Sequence, residues 1–160
     1  MARVLSVDQS TRCTGYGFFL DGQYVESGII DMNKSKLETN ERSFEMAKAI
    51  WKIIKQYKPE YLVLEDVQLQ NNNAKTMIIL ARLAGMVIGY AEAHNVKTYI
   101  VTPTQWRSQM HYSQGPKVKR AELKQQSLDY VKRNLGLELP EDECEAIVEG
   151  FAAHKIFDFE

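Results

Sequence analysis

Asp21-Gly22 is a two-residue turn signal set between two strand-like stretches, residues 15–20 and 23–30. An Asp-Gly pair takes up the positive-φ geometry of a tight hairpin, whose twist matches that of the strands it joins. With the apolar strand 3–7 ahead of it, the turn commits the start of the chain to a three-stranded antiparallel meander. Helical spacing follows over 36–57, where Phe44, Ala47, Ile50, Trp51 and Ile54 form one stripe that ends before Pro59. Residues 61–64 are an unbroken apolar run of the kind buried on both faces of a sheet.

A polar loop over 68–73 leads into an apolar helix over 74–94, and residues 97–101 read as another strand. Thr102 and Pro103 fit the N-cap and first position of a helical turn. Residues 111–116 form a loop, 117–135 an amphipathic basic helix ended by Gly136, and a last helix runs from Pro140 or Glu141 to about Phe157. The order βββαβαβαα, a meander followed by helical crossovers, predicts a five-stranded mixed sheet with helices on both faces. That is the ribonuclease H-like α/β architecture, and 160 residues suit a single domain spanning 1–160.

Asp8 ends the first strand and Glu65 ends the strand at 61–64, and this topology sets those two ends side by side. A carboxylate after four apolar residues is seldom buried unless it is paired or metal-bound. In the last helix Asp142, Glu145 and Glu149 stand at i, i+3 and i+7 and share a face. Ala146, Gly150, Ala152 and Ala153 leave room for that helix to press on the sheet. Acids in a first helical turn also complement the helix dipole, which accounts for Glu141 and Asp142 but not for Glu145. Oxygen-only carboxylate ligands suit Mg²⁺ or Mn²⁺, and pairs of such ions perform phosphoryl chemistry. The reading is a metal-dependent nuclease.

Net charge is −1, so composition alone does not advertise nucleic-acid binding. The distribution is more telling: Lys97, Arg107, Lys117, Lys119, Arg120, Lys124, Lys132 and Arg133 face only Glu122 and Asp129 over 97–133. Arg107, Lys117, Lys119, Arg120 and Lys124 are the DNA-binding candidates, although any single one is as well explained by a solvated helix face. Trp106, Tyr112 and Tyr16 are candidate base-stacking groups, yet an isolated aromatic usually belongs to the core. His111 is a candidate phosphate contact and His154 a candidate neighbour of the acids. Two cysteines, Cys13 and Cys144, neither in a C-x-x-C, argue against a disulfide scaffold or a zinc site. Met1-Ala2-Arg3 runs straight into a strand, so a cytoplasmic location is expected. The helix over 74–94 is interrupted by Arg82 and Glu92, which favours a buried helix over a membrane span. Its Ala81, Gly85 and Gly89 form a smooth edge, and a homodimer through this helix is expected.

Val7-Asp8-Gln9-Ser10-Thr11-Arg12-Cys13-Thr14-Gly15-Tyr16-Gly17, Leu64-Glu65-Asp66-Val67, Ala81-Arg82-Leu83-Ala84-Gly85 and Asp142-Glu143-Cys144-Glu145-Ala146 occur in that order. Together they resemble the motifs of RuvC-type Holliday junction resolvases, in the short lactococcal-phage-like form encoded by phages of Gram-positive bacteria. The resemblance implies that Asp8, Glu65, Asp142 and Glu145 are the metal-binding and catalytic acids, around two Mg²⁺ or Mn²⁺ ions. It implies a dimer that cuts four-way junctions to 5′-phosphate and 3′-hydroxyl ends, with a catalytic lysine at Lys124 or Lys119. If the gene is a phage's, the compartment is the bacterial host's cytoplasm. Three positions depart from the family pattern: Gln9-Ser10 replaces Pro-Gly, Gln68 replaces an aromatic, and Glu145 replaces Asp. They leave room for a broader fork or flap nuclease, or for a junction-binding module that does not cut. Asp8-Gln9-Ser10-Thr11 also resembles the first phosphate loop of actin-like sugar kinases, which need a second lobe of similar size.

Overall fold

The computed structural model describes residues 1–69 and 73–160, so part of the loop expected over 68–73 lies outside the described residues. The elements are β1 (Arg3–Asp8), β2 (Cys13–Leu20), β3 (Gln23–Asp31), α1 (Thr39–Tyr57), β4 (Tyr61–Glu65), α2 (Ala74–Ala93), β5 (Lys97–Val101), α3 (Pro103–Gln109), α4 (Arg120–Leu135) and α5 (Glu141–Ile156). They form the expected five-stranded mixed sheet, ordered β3-β2-β1-β4-β5. The β1–β2 and β2–β3 pairs are antiparallel, and the β1–β4 and β4–β5 pairs are parallel. Asp21 and Gly22 both hold positive φ, 47° and 78°, as a tight hairpin demands.

Side chains alternate along a strand, and the two faces carry two cores. Leu5 and Val7 of β1, Phe18 of β2, and Leu62 and Leu64 of β4 pack beneath α1 and α2. Val4, Phe19 and Val63 point the other way, into a core shared with α3, α4 and α5. By the same alternation Ser6, Asp8 and Glu65 fall on the α5 side. Helix α5 lies close against that face. A Cβ on Gly15 would run into the backbone carbonyl of Asp142, and one on Gly150 would run into the Phe19 ring. The Ser6 hydroxyl closes the contact by donating to the Ala146 carbonyl at 2.6 Å.

Three expectations need correction. Helix α1 begins at Thr39 rather than at residue 36, and Phe44 is 47% exposed. Ala47, Ile50 and Ile54 of the expected stripe are buried, Trp51 is half-buried, and Arg42, Ser43 and Met46 complete the buried face where Phe44 was expected. The basic helix begins at Arg120, because a turn closed from the Val118 amide to the Gly115 carbonyl at 3.1 Å takes up Lys117, and Lys119 becomes the N-cap. Short α3 adds a helix to the predicted order.

Helix α2 is long and apolar enough to cross a membrane. Within this chain it is covered on one side only: Leu83, Val87 and Ala91 are buried, and the Trp51 indole donates to the Met86 carbonyl at 3.2 Å. Ala81, Gly85 and Gly89 are exposed, as are Ile78 at 47% and Ile100 of neighbouring β5 at 49%. The helix predicted to be buried therefore presents an apolar strip outward.

Candidate metal centre

Asp8 and Glu65 are the last residues of two adjacent parallel strands, β1 and β4. The Gln9 amide clamps the two strand ends by donating to the Glu65 carbonyl at 2.8 Å. On the Glu65 side chain, Oε2 accepts from the Trp106 indole at 2.7 Å. Trp106, seated on α3 and fully buried against Tyr112 in an edge contact at 5.4 Å, fixes that carboxylate from one side. It is a positioning group, and its link to Glu65 spans too much sequence for local spacing to reveal. Trp106 and Tyr112 are core, as an isolated aromatic usually is; the Tyr112 hydroxyl is bound to Ser127 at 2.7 Å.

The third side is α5. Carboxylate oxygens of Asp8, Glu65 and Glu149 all lie within 4.8 Å of one another. Glu145, one turn earlier, adds its charge to the field at Asp8. Asp142 is half-buried and adds more weakly to the field at Asp8. Of the four predicted acids, then, Asp8, Glu65 and Glu145 converge and Asp142 stands at the edge. Glu149 shares the helix face expected from its spacing, and the structure buries it beside Asp8 and Glu65.

Burial and mutual repulsion dominate the electrostatics. Asp8 is pushed well above the usual carboxylate range by desolvation, then by the charges of Glu65 and Glu145. Burial also raises Glu65, although the Trp106 hydrogen bond and the charges of Arg107 and Arg120 pull the other way. The Cys13 thiol is pushed up to about 12, by burial first and Asp142 second. Packing several carboxylates together in a dehydrated site raises pKa values because each ionised form loses solvent and meets like charge. A divalent cation relieves both costs, and the all-oxygen donor set fits a hard ion.

The basic residues divide into two groups. Lys124 of α4 reaches Glu141 at 3.1 Å. Burial lowers its pKa, but the carboxylates of Glu141, Glu145 and Asp142 outweigh that and raise it overall. Arg107 lies over the Trp106 ring at 5.2 Å, and Arg107 and Arg120 both act on Glu65. Lys117 and Lys119 are exposed in the segment leading into α4. His111 is exposed beyond α3 at φ 59°. His154 does not neighbour the acids: it packs on Phe19 and Phe159, and its ring approaches Gly22 at the far end of β2.

A ribonuclease H-like fold with carboxylates at the ends of its two central parallel strands defines a class, and the comparisons agree with it. The fold is similar to that of RuvC from T. thermophilus in complex with a Holliday junction substrate, at TM-score 0.75 and 14% identity over 98% of this chain and 96% of that one. A fowlpox virus resolvase bound to Holliday junction DNA has TM-score 0.59 and 13% identity, over 96% of this chain and 92% of the other. Residues 1–152 match the DUF3882 family, described as Lactococcus phage M3 protein, and the chain belongs to that family. Among curated relatives, the crossover junction endodeoxyribonuclease RuvC of Fusobacterium nucleatum is 33% identical over 107 residues, covering 64% of this chain and 55% of the relative. The protein of the same name from Syntrophomonas wolfei is 28% identical over 152 residues, covering 91% of this chain and 84% of that one. The match thus spans 55% and 63% of the length of two of the curated relatives, those of F. nucleatum and Hydrogenovibrio crunogenus.

Proposed function

We propose that the protein is a metal-dependent endonuclease that cuts branched DNA, chiefly four-way junctions, by phosphodiester hydrolysis to 5′-phosphate and 3′-hydroxyl ends. One observation carries the reading: a half-buried carboxylate cluster at the ends of β1 and β4, in a chain whose curated relatives are crossover junction endodeoxyribonucleases. Asp8, Glu65 and Glu145 would hold Mg²⁺ or Mn²⁺, with Asp142 at the open edge. Bound there, the metal supplies an activated water nucleophile and stabilises charge on the scissile phosphate and the departing oxygen.

The protein's own groups do the positioning. Trp106 holds the Glu65 carboxylate in one orientation, and Gln9 locks the strand end that carries it. Lys124 is the basic group whose charge is most entangled with the α5 acids, which favours it over the exposed N-cap Lys119 as the phosphate-facing lysine. Arg107 and Arg120 stand near Glu65, and Lys117 and Lys119 extend the basic surface along the approach to α4. Such groups bind the DNA backbone without reading sequence.

The partner for the outward strip of α2 in this reading is a second copy. Exposed Gly85 and Gly89 would have open space around an added Cβ, so two such helices can approach closely. A symmetric pair of sites would then meet opposing strands of a junction.

The test is an end-labelled four-way junction beside a matching linear duplex, with Mg²⁺, Mn²⁺ or EDTA. Metal-dependent paired cuts in the junction are the expected result. Cuts in forks and flaps as well would widen the substrate class, and binding without cutting in every metal would overturn the nuclease reading.

A further inference from the structure

Glu149 is the buried group that the four-acid reading leaves unexplained. Its side chain is fully buried on α5, and neither carboxylate oxygen has a hydrogen-bond partner among the described residues. The ionisable groups acting on it, Glu65, Asp8 and Glu145, are all acidic. At the next residue, a Cβ on Gly150 would run into the Phe19 ring and the Ser6 hydroxyl, so this turn of α5 is pressed onto the sheet. A carboxylate sealed from water with no donor carries a large desolvation cost, and a native structure retains such a group only for a compensating reason.

Geometry supplies the reason. The oxygens of Asp8, Glu65 and Glu149 lie within 4.8 Å of one another. Opposite oxygen ligands of an ion with bonds of ~2.1 Å are ~4.2 Å apart, so small side-chain rotations would close the triad on one cation. We infer that Glu149 is a fifth acid of the metal centre, a ligand at its buried floor that completes one cation site with Asp8 and Glu65. Glu145 and Asp142 are then left to the open side of the cluster. The inference rests on the metal-dependent reading above and adds a ligand that the four-acid pattern does not contain.

The full-length chain can be titrated with Mn²⁺ by calorimetry and by the electron paramagnetic resonance signal of free Mn²⁺, without DNA and without turnover. Glu149→Gln keeps the shape and removes the charge. It should weaken the tightest Mn²⁺ site at least ~10-fold, because one charged oxygen ligand is lost. Its melting temperature should also rise less than the wild type's at a fixed Mn²⁺ concentration. Glu149→Asp, which keeps the charge but withdraws it by one methylene, should weaken the same site and serves if the glutamine variant does not fold. Asp8→Asn is the reference. If it loses Mn²⁺ while both Glu149 variants bind like wild type, Glu149 is not a ligand and the rest of the centre stands. If Asp8→Asn also binds Mn²⁺ normally, the metal reading itself fails.

Discussion

Asp8 is the residue on which the chemistry converges, because it touches the acids of both β4 and α5. Asp8→Asn should reduce cutting of a labelled junction to background while gel-shift affinity for the junction is kept; a variant that still cuts would remove Asp8 from the reaction. The raised pKa values set a pH dependence as well. Asp8 and Glu149 are raised by burial and then by neighbouring acids, and Glu65 by burial. In the metal-free protein, the fold therefore binds protons that the unfolded chain has released, and this contribution to stability is complete only below the ordinary carboxylate range near pH ~4. It is lost as pH climbs through the raised values. Thermal melts in EDTA should fall in midpoint as pH rises above about 4, with a shallower fall in Asp8→Asn. Saturating Mg²⁺ or Mn²⁺ should cancel the fall, since ligands bind the ion deprotonated. A midpoint that rises with pH in EDTA, and identically in the variant, would contradict this account of the site.

At the scale of elements, the site is a contact between two strand ends and two helices. Gly15→Ala would put a methyl group into the Asp142 carbonyl of α5. It should cost about 1–3 kcal/mol of stability, seen in urea melts, and weaken metal binding by lifting α5 away from β2. Trp106→Phe keeps most of the α3 packing but removes the donor to Glu65. A loss of metal affinity of roughly 10- to 100-fold is expected by calorimetry, together with a lower urea midpoint from the cavity that the smaller ring leaves. These elements were legible in the sequence to different depths. Asp8 and Glu65 were readable because each follows an apolar run, and strand order brings such ends together. Glu149 was readable as to face, since three acids repeat with helical spacing, but periodicity gives an angle and not a depth. The stripe through Ala47, Ile50 and Ile54 was readable from its spacing, whereas Phe44 lies outward because periodicity gives a face and not where the sheet ends beneath it. Trp106 could be assigned to the core but not to Glu65, because that hydrogen bond joins α3 to β4 and only tertiary packing creates it.

For the whole molecule, the unpaired strip of α2 is the largest open question of association. Sedimentation at micromolar concentration should give twice the mass of one chain. Gly89→Arg should return it to one, with the circular dichroism spectrum unchanged because an added Cβ there meets nothing in the chain. A wild-type protein that sediments as a monomer would withdraw the dimer and, with it, the symmetric pairing of cuts. One further consequence follows from where the acids sit along the polypeptide. Asp8 and Glu65 come from the first half of the chain, while Glu145 and Glu149 come from the final helix. During translation the ribosome therefore releases all five strands before it releases the helix whose acids complete the cluster, and a growing or prematurely terminated chain carries the sheet with its carboxylate cluster still open on one side.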